Sequence, residues 1–460
     1  MPLKMPLTMH SESTPNPILK VLGNLGAWVL AFSVLATISG CPRTTKVPEQ
    51  PKVGGMMTYD YSGLKVIHQE SARDYVHIRL HFGWQQPEES SYMAQIMAVQ
   101  GAFTCGAGSD SPEAFAAKLE ASGATMEFGT GLDGPVVSVE CLPARLDATW
   151  ELVMACIAEP MFDRAAFQAM RDEHIQQQRL LANDPSHRAK VAAIQAAWPQ
   201  MGLDGAIGGS EEAVRDVSMA TAQETFTLLM RKRCNLRLVV VGGIEAERIS
   251  DLLEGSIDKL PEGECATSSA TASPQLQQAQ LVQEEEGAEA FAAIFPAPGP
   301  ASVEATWMRV AMQVLDRRMR LHMVDRDHVA TFAQARYLSS PTGVGMVQVV
   351  GPNAFRCAEF CLSEIRILKT EGVSEAELRM GKAAVGAVAA LEYESAPALA
   401  SRLDEAAQVG ALNWAGREQD ALARAGTKEV NAVIGQYLTG IAWGIVGDTS
   451  RIDRKSLWRL

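Results

Sequence analysis

The chain has 460 residues and 47% hydrophobic content, long enough for more than one core and too apolar for disorder to be its main state. Its 41 basic residues stand against 54 acidic ones, a formal net charge of −13, which argues against nucleic acid as a partner.

The first element is not part of the fold. Lys20 precedes an uncharged run, VLGNLGAWVLAFSVLATISG, that ends at Cys41 and has the form of a secretory h-region. Ile38, Ser39, Gly40 and Cys41 resemble the bacterial lipobox, so residues 1–40 are expected to be a lipoprotein signal peptide and Cys41 the lipidated mature N-terminus; the alternatives are an ordinary membrane anchor or a signal cut at small residues. Residues 41–55 are polar and proline-containing, a flexible tether. Removing residues 1–40 leaves 41 − 2 = 39 basic and 54 − 1 = 53 acidic residues, or −14. No later stretch offers a long uncharged apolar span, so the body is expected beside a membrane without crossing it. Pro42 provides no Asp-type retention signal, which favours a bacterial envelope location, facing the periplasm, on the outer rather than the inner membrane. Seven cysteines remain besides Cys41, an odd number without regular spacing, and no disulfide framework is expected. Cys357 and Cys361, four apart on a predicted helix, read as core packing.

Two strands are predicted in LKVIHQESARDYVHIRLHFG (64–83), where Val76, Ile78, Leu80 and Phe82 alternate with His77, Arg79 and His81. The two histidines share a side but stand about 13 Å apart by strand rise, too far to share a metal, and read as a polar strand face. An apolar helix follows around Tyr92 to Met97, running into a glycine-containing loop at Gly106 and Gly108. The pattern then repeats. Phe82 matches Phe295 at an offset of 213, Phe167 matches Leu378 at 211, SMATAQETFTLLM matches TKEVNAVIGQYLT at 209, and Gly242 matches Gly447 at 205. Four pairs in one order argue for a duplicated unit of strand, strand, helix, helix, strand, helices and strand. The expected fold class is α+β, two homologous halves, each a mixed sheet covered by helices. The boundaries are an N-terminal half over 56–261, a small-polar linker over 262–276 and a C-terminal half over 277–460. Helices are expected from Asp163 and from Ser374, where Ser374 and Glu377 have the form of a capping box, and a break at Pro185 precedes His187.

Over roughly residues 60–450 the order of these elements resembles the insulinase and pitrilysin family of metallopeptidases, which includes the mitochondrial processing peptidase subunits. The resemblance rests on "GWQQPEES", "QGAFTCGAGSDSPEAFAAKLEASGATMEF", "PMFDRAAFQAMRDEHIQQQ", "NLRLVVVGGI", "VLDRRMRLHMVDRD" and "GVSEAELRMGK", taken in sequence. The family's chemistry sits on H-x-x-E-H, two histidines holding zinc and a glutamate activating the metal-bound water. Aligning the segment that follows that motif places Tyr92, Gln95 and Ile96 at the histidine, glutamate and histidine positions. None of the three can do the required work: the imidazoles are gone and an amide accepts no proton from water. The third ligand falls at Glu173, about 76 residues beyond Ile96 by the spacing the resemblance supplies. A lone carboxylate cannot hold zinc usefully, so this relict position reads as a solvated helix-face residue. In the second half Arg326 stands where the family uses an arginine to polarise the scissile carbonyl, or is a surface charge among Asp325, Asp327 and His328; seven residues on, the family's tyrosine is Ala333, beside Phe332.

No catalytic residue and no metal or other cofactor are therefore expected. The resemblance implies a lipid-anchored, non-catalytic relative that serves as partner of a zinc-bearing peptidase subunit and holds extended peptide by β-addition. A stand-alone peptide- or protein-binding scaffold lipoprotein is the competing reading, and an active zinc metalloendopeptidase with an atypical site would need ligands the chain does not supply.

Overall fold

The computed structural model describes residues 56–85, 90–131, 133–199, 209–263, 265, 273–284, 287–339 and 342–458. The proposed signal peptide, Cys41 and the tether lie outside the described residues, as does much of the proposed linker. From Val47 to Leu460 the chain clusters as one unit. Among the described residues no helix is long and apolar enough to cross a membrane.

Two sheets organise the molecule. The first runs β1 (Met56–Tyr61), β2 (Leu64–Glu70), β6 (Leu236–Gly242), β3 (Val76–Phe82), β5 (Pro135–Cys141) and β4 (Thr125–Thr130) in spatial order. The second runs β7 (Gln278–Gln283), β11 (Ala442–Gly447), β8 (Glu289–Pro296), β10 (Val344–Gly351) and β9 (Phe332–Leu338). Apart from β1 the two orders are the same, each with one parallel pair (β2 with β6, β7 with β11) and the rest antiparallel. The register repeats the sequence offsets: Ile78 faces Val240 in the first sheet, and Phe291 faces Ile445 in the second, 213 and 205 residues on. The expected single strand between the early helices and the Asp163 helix is instead a hairpin, β4 and β5, turned by Gly131 and Gly134.

Helices α1 (Tyr92–Thr104), α2 (Pro112–Ala121), α3 (Leu146–Ala158), α4 (Arg164–Ala182), α5 (Pro185–Ala197) and α6 (Met219–Thr225) belong to the first half. Helices α7 (Val303–Met319), α8 (Ala354–Glu371), α9 (Glu375–Glu394), α10 (Ala396–Gln408) and α11 (Thr427–Tyr437) belong to the second. Their starts follow from local chemistry. Asp163 accepts from the free N–H groups of Ala165 and Ala166, Ser374 and Glu377 close a reciprocal capping box, and Pro185 and Pro397 occupy first-turn positions where no donor is needed.

Each sheet buries one face against its own helices. Val76, Ile78, Leu80 and Phe82 pack with Met97, Val99, Phe103 and Phe226 in the first core, and Phe291 and Trp443 with Met308, Leu315 and Ile365 in the second. The other faces are covered by exchange. Helix α5 leaves the first half and lays Ala189, Ala193, Ala196 and Ala197 on Ala290, Ala292, Ala442 and Val446 of the second sheet. Helix α10 returns the exchange, placing Ala396, Leu399, Ala400 and Leu403 on Ile67, Val239 and Val241 of the first. These two helices are 211 residues apart and of equal length, 13 residues. The alanine face lets α5 approach so closely that a Cβ on Gly444 would collide with the backbone of Ala189 and Ala193. Gly444→Ala should therefore lower the unfolding free energy by about 1–3 kcal/mol, the usual cost of overpacking a core that cannot yield. Urea denaturation checks this, and a variant as stable as the parent would mean the helix can lift without cost.

The exchange corrects one expectation. His77 and His81 do not form an open polar face: they are 2% and 3% exposed. The cysteine expectation is also corrected. Cys234, just ahead of β6, is bonded to Cys265 with a Cα–Cα distance of 5.8 Å, while Cys105, Cys141, Cys156, Cys357 and Cys361 are free and buried. The odd count hid the bridge because most of the other thiols serve as small apolar core residues.

Candidate functional site

Helix α1 carries the three positions that the resemblance assigns to metal chemistry. Ser91 caps it by accepting from the Ala94 N–H at 3.2 Å. Tyr92 projects at the start and stacks edge-on against Trp84, centroids 4.9 Å apart. Ile96 points into the first core at 6% exposure.

Gln95 is fully buried and every part of its amide is engaged. Its Oε1 accepts from the Gln85 backbone N–H at 2.8 Å, and its Nε2 donates to the carbonyls of Ser90 at 2.8 Å and Gln85 at 3.2 Å. The Gln85 side chain in turn donates to Asn235 Oδ1 at 2.5 Å, and Asn235 Nδ2 donates to the Met230 carbonyl at 3.2 Å. This ladder of neutral amides ties the approach to α1 to the turn before β6. A carboxylate at position 95 would set an anion against two carbonyl oxygens, whereas the amide gives each a donor. Gln95 is thus a structural clasp between α1, Gln85 and Ser90.

The third position lies elsewhere. On α4, Phe167, Met170 and Ile175 are buried, and His174, whose imidazole burial pushes down in pKa, bonds Gln100 Oε1 of α1 at 2.6 Å. Glu173, one residue earlier, is exposed. The phenol, amide and sec-butyl groups at 92, 95 and 96, with Glu173 turned outward, do not form a zinc donor set. Among the described residues no three His, Cys, Asp or Glu side chains are grouped to hold a metal. Beside the N-terminus of α1 a cleft of about 290 Å³ is lined by Ser90, Ser91, Ala94, Thr221, Glu224, Thr225, Leu228 and Leu229. Its hydroxyls bond one another, Ser90 Oγ lying 2.9 Å from Thr225 Oγ1.

In the second half Arg326 ends a wide helical turn over Arg320–Arg326; its side chain is 73% exposed, with Asp327 3.8 Å away. Phe332 opens β9 at 37% exposure and Ala333 is buried. The one tyrosine on β9, Tyr337, donates to the Pro298 carbonyl at 2.8 Å.

A buried charge cluster that the sequence reading missed joins the halves. Asp404 of α10 receives Arg237 Nε at 2.5 Å, Arg79 Nε at 2.9 Å and His81 Nδ1 at 3.0 Å. Asp133 completes the group, 3.4 Å from His81 Nε2 and 3.5 Å from Arg237. Burial alone would raise the Asp404 carboxyl, but His81, Arg237 and Arg79 outweigh it and hold it well below the usual carboxylate range. Alternation on β3 and β6 aims these basic groups at the same face; the partner comes from a helix 323 residues beyond His81 and 167 beyond Arg237, which no local pattern signals.

With this geometry in view, comparison with solved structures gives the fold. The chain is similar to the peptidase M16 inactive domain from Pseudomonas fluorescens, at a TM-score of 0.76 and 14% identity, covering 86% of this chain and 98% of that one. It is similar to a protease from Helicobacter pylori at 0.75 and 14%, covering 85% and 98%. It is also similar to the periplasmic protease PqqL from Escherichia coli at 0.68 and 14%, covering 92% of this chain and 50% of that one. No protein-family profile matches the chain, and no curated protein matches it. The fold is therefore that of M16-type peptidase domains, in the two-half form.

Proposed function

We propose that this chain is a non-catalytic, envelope-located relative of insulinase and pitrilysin-type peptidases that holds extended peptide as partner of a zinc-bearing chain. The observation that carries the reading is Gln95: the position of the catalytic base is committed to clasping Gln85 and Ser90. A fold likeness to a domain described as inactive is consistent with it. Peptide holding is supported by the open outer edge of β4, where Met126 and Phe128 pack inward while Thr125, Glu127, Gly129 and Thr130 are exposed along an unpaired backbone. An export compartment is supported by the Cys234–Cys265 disulfide and by the periplasmic PqqL likeness, and the lipobox-like Ile38–Cys41 would supply the anchor.

Purified chain should contain no stoichiometric zinc by elemental analysis and should cleave no unfolded peptide. Mixed with an intact H-x-x-E-H relative from the same organism, it should co-elute on size exclusion and raise that relative's peptidase rate. Chelator-sensitive cleavage by the isolated chain would overturn the reading, and failure to associate would remove the partner role.

A further inference from the structure

Outside the positions inherited from the family, one pair of side chains is unlike the rest of this acidic molecule. Helix α5 lies along the second sheet with Ala189, Ala192 and Ala193 beneath it, and the sheet's inward-facing rows extend past the helix onto β10 and β9. Val191, Ala192 and Gln195 line a cleft on the β7 side with Val282. Lys190, which is not among the residues lining that cleft, interacts electrostatically with Arg336 of β9. Strand register places Arg336 beside Met346, Ile294 and Ala442 in one row, so it shares the face that α5 covers in part, and the next row holds Gln334 and Gln348.

Among the described residues neither cation has a counter-charge. Among the described residues no carboxylate lies within ion-pair distance of Lys190 or Arg336, although both are half-buried. Arg336 donates only from Nη2 to Gln348 Oε1 at 3.3 Å, and its Nε is buried with no partner. Other shielded arginines are met: Arg79 and Arg237 by Asp404, Arg309 and Arg402 by Glu418, Arg318 by Glu377, Arg231 by the Ala158 carbonyl. Burial, and then the Arg336 charge, push the Lys190 ammonium down from its ordinary value. Two like charges held together out of bulk water are a standing cost to the ligand-free fold, and an arriving anion would relieve it.

We infer that Lys190 and Arg336, with Gln334 and Gln348 on the floor beside them, form an oxyanion subsite that takes a carboxylate of the bound peptide. The inference rests on the peptide-holding reading above for the source of that carboxylate, but the anion chemistry is independent of it. A planar guanidinium and a mobile ammonium suit a carboxylate, and free phosphate presents the same oxygens.

The test uses the purified mature chain and fluorescently labelled extended peptides, each with a free C-terminal carboxylate, a C-terminal amide, or an amide plus one internal glutamate. Wild-type protein should bind the free acid about tenfold more tightly than the amide. Lys190→Gln and Arg336→Gln should each erase that preference without changing amide binding. An equal preference in the internal-glutamate peptide would assign the subsite to a side chain. In parallel, inorganic phosphate should raise the melting temperature of wild-type protein above that in chloride of equal ionic strength, and the double variant should show no such shift. Ligand-free Lys190→Gln should melt higher than wild type, because it removes like-charge repulsion; a purely structural lysine would give the opposite. Phosphate stabilisation without any peptide binding would keep the subsite and sink the peptide reading. Equal binding of acid and amide together with no phosphate effect, or a preference that survives the double substitution, would overturn the inference.

Discussion

Replacing Gln95 by glutamate is expected to cost about 3–5 kcal/mol of folding free energy at neutral pH, the range found when a buried charge is left without compensation. The variant differs from the parent by one atom type, yet its carboxylate would face the Ser90 and Gln85 carbonyls that the amide now satisfies. Burial raises the folded-state pKa of such a carboxyl above its unfolded value of about 4.3. The variant is then relatively most stable below that unfolded value and loses stability as pH rises through the raised folded one. Even when protonated it supplies one donor where the amide supplies two, so recovery in acid should be incomplete. Urea denaturation of both proteins at a series of pH values measures this. Parental stability of the variant at pH 8 would mean the clasp is dispensable. A Tyr92→His, Gln95→Glu and Ile96→His triple variant faces the same obstacle: it must dislodge Gln85 and Ser90 and put an imidazole where Ile96 fills the core before any metal can bind.

The second large effect is expected at Asp404. Alanine there would leave Arg79, Arg237 and His81 crowded together with only Asp133 for relief, at a cost of about 3–5 kcal/mol. Because its folded pKa is depressed, Asp404 contributes fully above its unfolded value of about 3.9 and progressively less as pH falls through the folded one. The gap between parent and Asp404→Ala should therefore be widest near neutrality and begin to close below about pH 4. A gap that stays constant down to pH 3 would show that the loss came from packing rather than charge.

The duplicated halves were readable because their evidence is local and repeated: strand alternation, helix caps at Asp163 and Ser374, and offsets that the strand registers reproduce at Ile78, Val240, Phe291 and Ile445. What could not be read depends on parts distant in the chain. Alternation showed that His77, Arg79 and His81 share a face, but not that α10 arrives to bury it. The resemblance to H-x-x-E-H proteins pointed to Tyr92, Gln95 and Ile96 without saying what they do; the clasp is visible only with the carbonyls of Gln85 and Ser90 in place. Lys190 and Arg336 are ordinary surface residues by sequence and become neighbours only because α5 crosses to the other sheet. The β4–β5 hairpin was missed for a simpler reason, since its two short strands were read as one.

The traded helices bear on how the chain unfolds. Although there are two sheets and two cores, neither sheet has a finished inner surface until the opposite half supplies a helix. Melting one half would strip α5 or α10 from its seat and uncover the apolar rows of the other, Ile67, Val239 and Val241 in one case and Ala290, Ile294 and Met346 in the other. The thermodynamic unit is thus larger than the repeated one, and the duplicated architecture loses its order in a single concerted step.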